Sequence, residues 1–308
     1  MKKVKLNELV AATFTPFGSD GAVNLEVIEK QAKLLSGQQI TAVFVCGSTG
    51  ESHSLSMDER RRIAERWVEV TRGSKMKLVV HVGSNCLPDA QRLAAHAESI
   101  GAWADSTLAP SYFKPRQLSD LVEWCAAIAA MAPSTPFYYY DIPIMTGVSF
   151  PMKSFLDQAA ERIPTLNGIK FTNSDLMSYQ QCLAAADGTF DIPWGMDEAL
   201  LSALALGAVS AVGSSYNFAA PIYHRLLAAF RTGDLEAARL EQSRSVKLIQ
   251  LLAGFGYMGA AKAVLKMMGV DAGRARLPHS NLTAQQVATL RAELEKLGFF
   301  EWINFPRP

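Results

Sequence analysis

Cysteine is scarce in this chain. Four stand at 46, 86, 125 and 182 among 308 residues, with no CxxC pair and no Cys/His spacing that suits zinc. A disulfide framework is therefore not expected, and a reduced, cytoplasmic setting fits. Cys46, Cys125 and Cys182 sit in apolar contexts and read as buried thiols. Charge is also sparse, at 19% of residues and a net +1, which gives no support to nucleic acid or an anionic membrane as a partner. The basic run Arg60–Arg61–Arg62 falls in a helical pattern and reads as a solvated face. The opening MKKVKLNELV lacks the apolar stretch of a signal peptide. From Ala199 to Tyr223 no side chain is charged, but Ser202, Gly207, Gly213, Asn217 and Pro221 interrupt the run. It reads as a buried helix followed by a buried strand, not as a membrane span. Metal-ligand clusters are missing. So are a GxGxxG turn after the first strand and a GK[ST] after the glycine-rich stretch at 47–50, so neither a metal nor a nucleotide cofactor is expected.

What the chain does have is apolar residues, 49% of the total, enough for a large core. Eight short, β-branched or aromatic runs recur: Leu9–Phe14, Ala42–Cys46, Lys77–Val82, Ala104–Leu108, Phe137–Tyr140, Gly168–Phe171, Asp191–Trp194 and Ala208–Val212. Between them lie stretches with helical spacing, among them Leu25–Leu35, Met57–Val70, Ala90–Ile100, Leu118–Met131, Pro151–Ile163 and Leu176–Ala186. Asn24 precedes the first of these, and Ser56 with Glu59 forms a capping box before the second. Strands apolar on both faces, alternating with helices, predict a parallel sheet. Eight such units suit a closed (β/α)8 TIM barrel, with an open doubly wound sheet as the alternative. After Pro221 the pattern is helical to the end. Residues 1–221 are thus assigned to the barrel and 222–308 to a helical extension packed on it.

One residue is out of place in this pattern. Lys170 interrupts GIKFTN, an otherwise apolar strand. A strand-end lysine can snorkel to water. Turned into the barrel, its ammonium would instead be desolvated, and the neutral amine could attack a carbonyl to form a Schiff base. A barrel gathers its strand ends at one face. GSTGES at 47–52 would bring the Ser48 and Thr49 hydroxyls, with nearby N–H groups, as a carboxylate cradle. FYYYDIP brings Tyr138 and Tyr140 on one face, either able to relay a proton or simply to pack. WGMDE brings Asp197 and Glu198, a favourable helix start or a reader of polyol hydroxyls. Together these describe an aldolase-type site for a 2-oxo acid.

The motifs LVAATFTPF (9–17), GSTGES, TLAPSYFKP (107–115), YDIPIMTGV (140–148), GIKFTNSD (168–175) and GAVSAVGSSYN (207–217) resemble, in order and spacing, the N-acetylneuraminate lyase and dihydrodipicolinate synthase superfamily. The resemblance covers nearly the whole length. It implies a (β/α)8 barrel with C-terminal helices, no cofactor, and a homotetramer of two tight dimers. It implies Lys170 as the Schiff-base lysine, Tyr140 as the proton relay, and Ser48 and Thr49 as holders of the carboxylate. Tyr112 would reach into the neighbouring subunit's site. The synthase branch carries an arginine five residues after the relay tyrosine; here that position is Met145. Gly195, Asp197, Glu198, Ser214 and Thr172 match the lyase branch, where they contact the sugar tail. The implied reaction is reversible cleavage of N-acetylneuraminate, a sialic acid, to N-acetylmannosamine and pyruvate. Another pyruvate-dependent aldolase or dehydratase, or a non-catalytic oxo-acid sensor, is the alternative. Asp141 departs from the Asn or His common in relatives; strand alternation predicts that it faces away from the substrate.

Overall fold

The computed structural model describes residues 3–7 and 9–304. Strands β1 (Leu9–Ala12), β2 (Ala42–Val45), β3 (Lys77–His81), β4 (Ala104–Leu108), β5 (Phe137–Asp141), β6 (Leu166–Phe171) and β7 (Ala211–Gly213) form one parallel sheet. Their order is β6-β5-β4-β3-β2-β1-β7. The predicted strand Asp191–Trp194 fills the place between β6 and β7, but through isolated bridges and not as a continuous strand. Pro193 has no N–H to give a ladder. The segment is held instead by Ile169 N–H on the Asp191 carbonyl at 3.1 Å, Phe171 N–H on the Pro193 carbonyl at 2.9 Å, and Val212 N–H on the Trp194 carbonyl at 2.7 Å. With that segment the sheet curls into the expected barrel. The final strand also lies later than predicted, at Ala211–Gly213, and β1 stops two residues short of Phe14.

Side chains alternate across each strand. Val10, Ala12, Ala42, Phe44, Val79, Leu108, Tyr138, Tyr140 and Val212 share an inner cluster. Leu9, Ala11, Val43, Val45, Val80, Tyr139, Ile169 and Phe171 face the outer layer of helices. Lys170 lies between Ile169 and Phe171, so it points into the barrel. At the opposite end, Leu6 plugs the interior and donates its N–H to Asp191 Oδ2 at 3.1 Å. Tyr138 Oη donates to the same oxygen at 2.8 Å and accepts from Asn167 Nδ2 at 2.5 Å. Tyr138 is thereby committed to the floor of the barrel.

The helices follow the predicted spacing to within a few residues, including Glu26–Gly37, Met57–Thr71 and Leu118–Ala129. The Ser56–Glu59 capping box is present. Arg60 departs from expectation: it is buried, not solvated, and its guanidinium donates to the carbonyls of His81 at 2.6 Å and Gly83 at 2.8 Å. Its position in the helix turns it inward while Arg61 and Arg62 stay exposed. No single helix among the described residues is long and apolar enough to cross a membrane.

Beyond β7 the described chain is helical, with Tyr216–Arg231, Leu235–Gly254, Tyr257–Met267 and Ala284–Leu297 as its main elements. One buried ion pair ties this region to the barrel. Lys262 Nζ lies 2.7 Å from Glu51 Oε1 and donates to the Thr15 carbonyl at 2.9 Å. Glu51 Oε2 accepts from Arg276 N–H at 2.7 Å. Removing one partner of such a pair leaves an uncompensated charge in the interior. Lys262→Met is expected to lower unfolding free energy by about 3–5 kcal/mol in urea titration, with part of the loss recovered by adding Glu51→Gln. An unchanged midpoint would show that the pair contributes nothing.

Candidate active site

A cavity of about 430 Å³ opens at the C-terminal ends of the strands, within the range of small-molecule sites. Tyr140, Lys170, Thr49, Thr172, Gly195, Asp197, Glu198 and Ser214 line it. Residues from β5, β6, the loop after β2, the bridging segment and the turn after β7 therefore meet as the barrel requires.

Lys170 and Tyr140 are partners in the β5–β6 register. The lysine is 5% exposed. Its Nζ sits 3.4 Å from the centre of the Tyr140 ring and 4.6 Å from that of Phe44. Beneath it is an apolar void of about 10 Å³ bounded by Val10, Val79 and Val212, at the lower limit for holding one water. Burial lowers the lysine's pKa, opposed by Tyr140 and by the charge of Asp197. The amine is thus biased toward its neutral, nucleophilic form.

Ser48 does not line the cavity itself. Its Oγ is 3.3 Å from Tyr140 Oη, so it touches the phenol while Thr49 faces the opening. Their loop is packed too tightly to move freely. A Cβ on Gly47 would lie 2.5 Å from the Phe44 ring, and Thr15 Oγ1 donates to the Gly50 carbonyl at 2.7 Å. His81, next to Tyr140 with ring centres 5.9 Å apart, is buried with Nδ1 3.0 Å from the Cys46 carbonyl. Burial, then the nearby Arg60 charge, hold its pKa well below the usual histidine range.

The Asp197–Glu198 pair separates. A short 3-10 turn, Asp197–Ala199, precedes the helix Leu200–Ala205; Asp197 is buried and Glu198 is exposed at the rim. Asp197 Oδ2 meets the Ser215 N–H at 2.9 Å and the Ser215 hydroxyl. Burial raises its pKa to about 7, against the lowering effect of Ser215. Close approach explains two glycines here. A Cβ on Gly195 would fall 1.9 Å from Thr172 Oγ1, and one on Gly213 would fall 1.9 Å from Asp197 Oδ1. Thr172 Oγ1 is buried without a hydrogen-bond partner among the described residues, so it is available to a ligand.

Asp141 turns outward as alternation predicts. It is buried against Asn173, whose Nδ2 donates to it at 3.2 Å, and burial raises its pKa to about 6. It acts on the cavity through Asn173, which lines it. Met145 is 64% exposed and Ile144 occupies the rim in its place. Tyr112 does not line the cavity. It is 78% exposed and packs edge-on against the equally exposed Phe113, ring centres 5.0 Å apart. Asn85 fixes this loop by accepting the Ser111 N–H at 2.7 Å.

Sequence reasoning missed Tyr257. It comes from the C-terminal helices, lines the cavity, and places its Oη 2.7 Å from Ser214 Oγ. The signal is Gly256, whose positive φ of 78° starts the helix in a way that swings Tyr257 toward the strands.

The Dihydrodipicolinate synthetase family model matches residues 5–297. A Gallus gallus protein named N-acetylneuraminate lyase is 39% identical over 297 residues, 95% of this chain and 96% of its own length. The solved structure of Proteus mirabilis N-acetylneuraminate lyase superposes with a TM-score of 0.93 at 40% identity, covering 96% of this chain and all of that one (100%). The N-acetylneuraminate lyase (sialic acid aldolase) of Aliivibrio salmonicida gives 0.93 at 44% identity, covering 97% and 98%. With the family match spanning the barrel and the C-terminal helices that complete its cavity, the chain belongs to the dihydrodipicolinate synthetase family.

Proposed function

We propose that this protein is a Schiff-base aldolase that cleaves N-acetylneuraminate reversibly to N-acetylmannosamine and pyruvate. The observation that carries the reading is Lys170, a buried amine on the Tyr140 ring, in one cavity with Thr172, Asp197 and Ser214. The likeness to proteins named N-acetylneuraminate lyase supports the same choice of substrate. Exposed Met145 in place of an arginine supports it over the synthase branch.

The chemistry follows from the groups present. The neutral Lys170 amine adds to the C2 carbonyl of the open-chain sugar, and loss of water gives an iminium. That cation draws the electrons of the C3–C4 bond as Tyr140 takes the proton of the C4 hydroxyl. The sugar aldehyde leaves, an enamine remains on Lys170, protonation at C3 restores the iminium, and water releases pyruvate. Ser48, in contact with Tyr140 Oη, holds the phenol oriented, and Thr49, which faces the opening, receives the substrate carboxylate. Asp197, Ser214, Thr172 and the edge of Gly195 read the glycerol tail, with Glu198 at the rim.

Tyr112 is assigned to an interface. An exposed aromatic pair on a fixed loop fits burial against a second copy, as expected for tight dimers paired into a homotetramer. A cytoplasmic location accords with the free thiols of all four cysteines.

Incubation with pyruvate and borohydride is expected to leave a reduced pyruvyl adduct on Lys170, read by peptide mass spectrometry. Tyr140→Phe should still form it while losing turnover by about 10²-fold or more. An adduct elsewhere would remove Lys170 from the mechanism.

Asp197→Ala should lower kcat/KM for N-acetylneuraminate by roughly tenfold to 150-fold, the cost of leaving a buried polar group of the substrate without its partner. Glu198→Ala, at the exposed rim, should cost less. A wild type that prefers a six-carbon 2-oxo-3-deoxy acid by more than tenfold would overturn the substrate choice and leave the lysine chemistry standing.

For Tyr112, the check is subunit mixing. Inactive Lys170→Ala subunits combined with Tyr112→Ala subunits should regain activity, because a mixed pair holds one site with both residues intact. No gain on mixing would confine Tyr112 to its own subunit.

A further inference from the structure

Asp197 lies on a closed circuit of hydrogen bonds that leaves the barrel and returns. Its Oδ2 meets the Ser215 hydroxyl. Ser215 Oγ is 2.6 Å from Tyr223 Oη. Tyr223 Oη is 2.8 Å from Ser245 Oγ. Ser245 Oγ donates to the backbone carbonyl of Asp197 at 3.3 Å. Ser215, Tyr223 and Ser245 are all buried. The circuit runs through helices Tyr216–Arg231 and Leu235–Gly254, well outside the groups that touch substrate.

Counting protons gives the circuit a preferred state. It has four links. The three hydroxyls supply one proton each, and the Asp197 carbonyl supplies none. With Asp197 ionised, one link joins two oxygens with no proton between them. With Asp197 protonated, every link is filled in one sense: Asp197 to Ser215, Ser215 to Tyr223, Tyr223 to Ser245, Ser245 to the Asp197 carbonyl. A filled circuit is favoured, because two buried oxygens that face each other with no proton between them repel. Gln242, which also donates to the Asp197 carbonyl at 3.1 Å, keeps that preference modest.

We propose that Tyr223 and Ser245 are positioning residues that hold a proton on Asp197, so that Asp197 faces the cavity as a neutral acceptor. The consequence for catalysis, which rests on the aldolase reading, lies at Lys170. A charged Asp197 would favour the ammonium; a neutral one withholds that support and leaves the amine nucleophilic. The groups that act on Asp197 from the surrounding elements are Lys170 on β6, the adjacent Glu198, Tyr216 and Tyr223 on the first C-terminal helix, and Tyr257. Helix Leu235–Gly254 presents Ser245 and Gln242, the latter donating to the Asp197 carbonyl at 3.1 Å. Burial drives Asp197 toward protonation as well. The circuit adds a distinct prediction of sign.

Deleting one hydroxyl reverses the count. Without Tyr223 Oη two links remain, and the protons of Ser215 and Ser245 fill both with Asp197 ionised. Tyr223→Phe and Ser245→Ala should each weaken proton binding at Asp197 by roughly fivefold to tenfold. Ser245→Thr should leave it unchanged. The measurement is an infrared pH titration of the unliganded protein, with the protonated-carboxyl band assigned by its loss in Asp197→Asn. A wild-type band that titrates near neutrality, moves to lower pH in Tyr223→Phe or Ser245→Ala, and stays in Ser245→Thr supports the proposal. No such band in wild type, or a midpoint that the two deletions leave in place or raise, overturns it. The titration needs no substrate, so failure of wild type to cleave N-acetylneuraminate would count against the aldolase reading alone. Where turnover is present, the same shift should appear in the pH profile of KM, with kcat at low pH retained in Tyr223→Phe.

Discussion

The backbone of residues 191–195 lies directly on β6, and the site depends on that closeness. A Cβ on Gly168 would come within 1.7 Å of the Asp191 carbonyl, and one on Gly195 within 1.9 Å of Thr172 Oγ1. Only glycine leaves room at either place. The approach closes the barrel where a regular strand is missing, and it seals the interior against which Lys170 is desolvated. It also carries Asp197 to the cavity wall opposite the lysine. The closure of the sheet and the chemistry of the site are therefore one structural event, and substitution at either glycine would disturb both.

Electrostatics inside the barrel are set by what is withheld. Lys170 meets two aromatic faces, with no carboxylate in ion-pair contact among the described residues, and aromatic faces stabilise an ammonium less than a buried carboxylate would. Buried carboxylates do occur, and three of them are held by partners, while Asp105 on β4 has none among the described residues and is pushed toward its neutral form by burial. Asp191 is held by Tyr138 and Leu6 at the floor. Glu51 is matched by Lys262. Asp197 is engaged by Ser215. The arrangement keeps fixed negative charge away from the amine while supplying hydroxyls for a polar ligand. The C-terminal helices take part in this: Lys262 secures the loop that carries Ser48 and Thr49, and Tyr257 meets Ser214 in the cavity wall.

The order of the elements was legible because strand and helix leave different periods in sequence. The (β/α)8 barrel, the Ser56 capping box and the shared face of Tyr138 and Tyr140 all follow from such local patterns. So does the outward turn of Asp141, two-residue alternation being independent of the rest of the fold. The choice for Lys170 between water and the barrel interior does not. Asp191–Trp194 shows the limit. Its apolar residues read as a strand, yet Pro193 and the glycine-permitted contact with β6 decide how it pairs. Arg60 shows another: a triplet of arginines is solvated on composition, and only the packing of its helix against the end of β3 shows which one turns inside, to the His81 and Gly83 carbonyls.

For the site, the residue types were sufficient to name the chemistry but not the roles. GIKFTN by itself puts a lysine in an apolar strand, and FYYYDIP puts two phenols on one face. Nothing local distinguishes Tyr138 from Tyr140, because both alternate inward. Their different heights in the barrel do: one reaches Asp191 at the floor, the other reaches Lys170 and Ser48. Likewise Asp197 and Glu198 are neighbours in sequence, and a 3-10 turn sends one inward and the other to solvent. Tyr223, Ser245 and Tyr257 lay beyond sequence reasoning, since a hydroxyl on a distant helix has no meaning until the helix is packed. Sequence determined which groups exist and which face of a strand they occupy. Tertiary structure decided which of them lose water together, because desolvation depends on everything that surrounds a group and not on its neighbours along the chain.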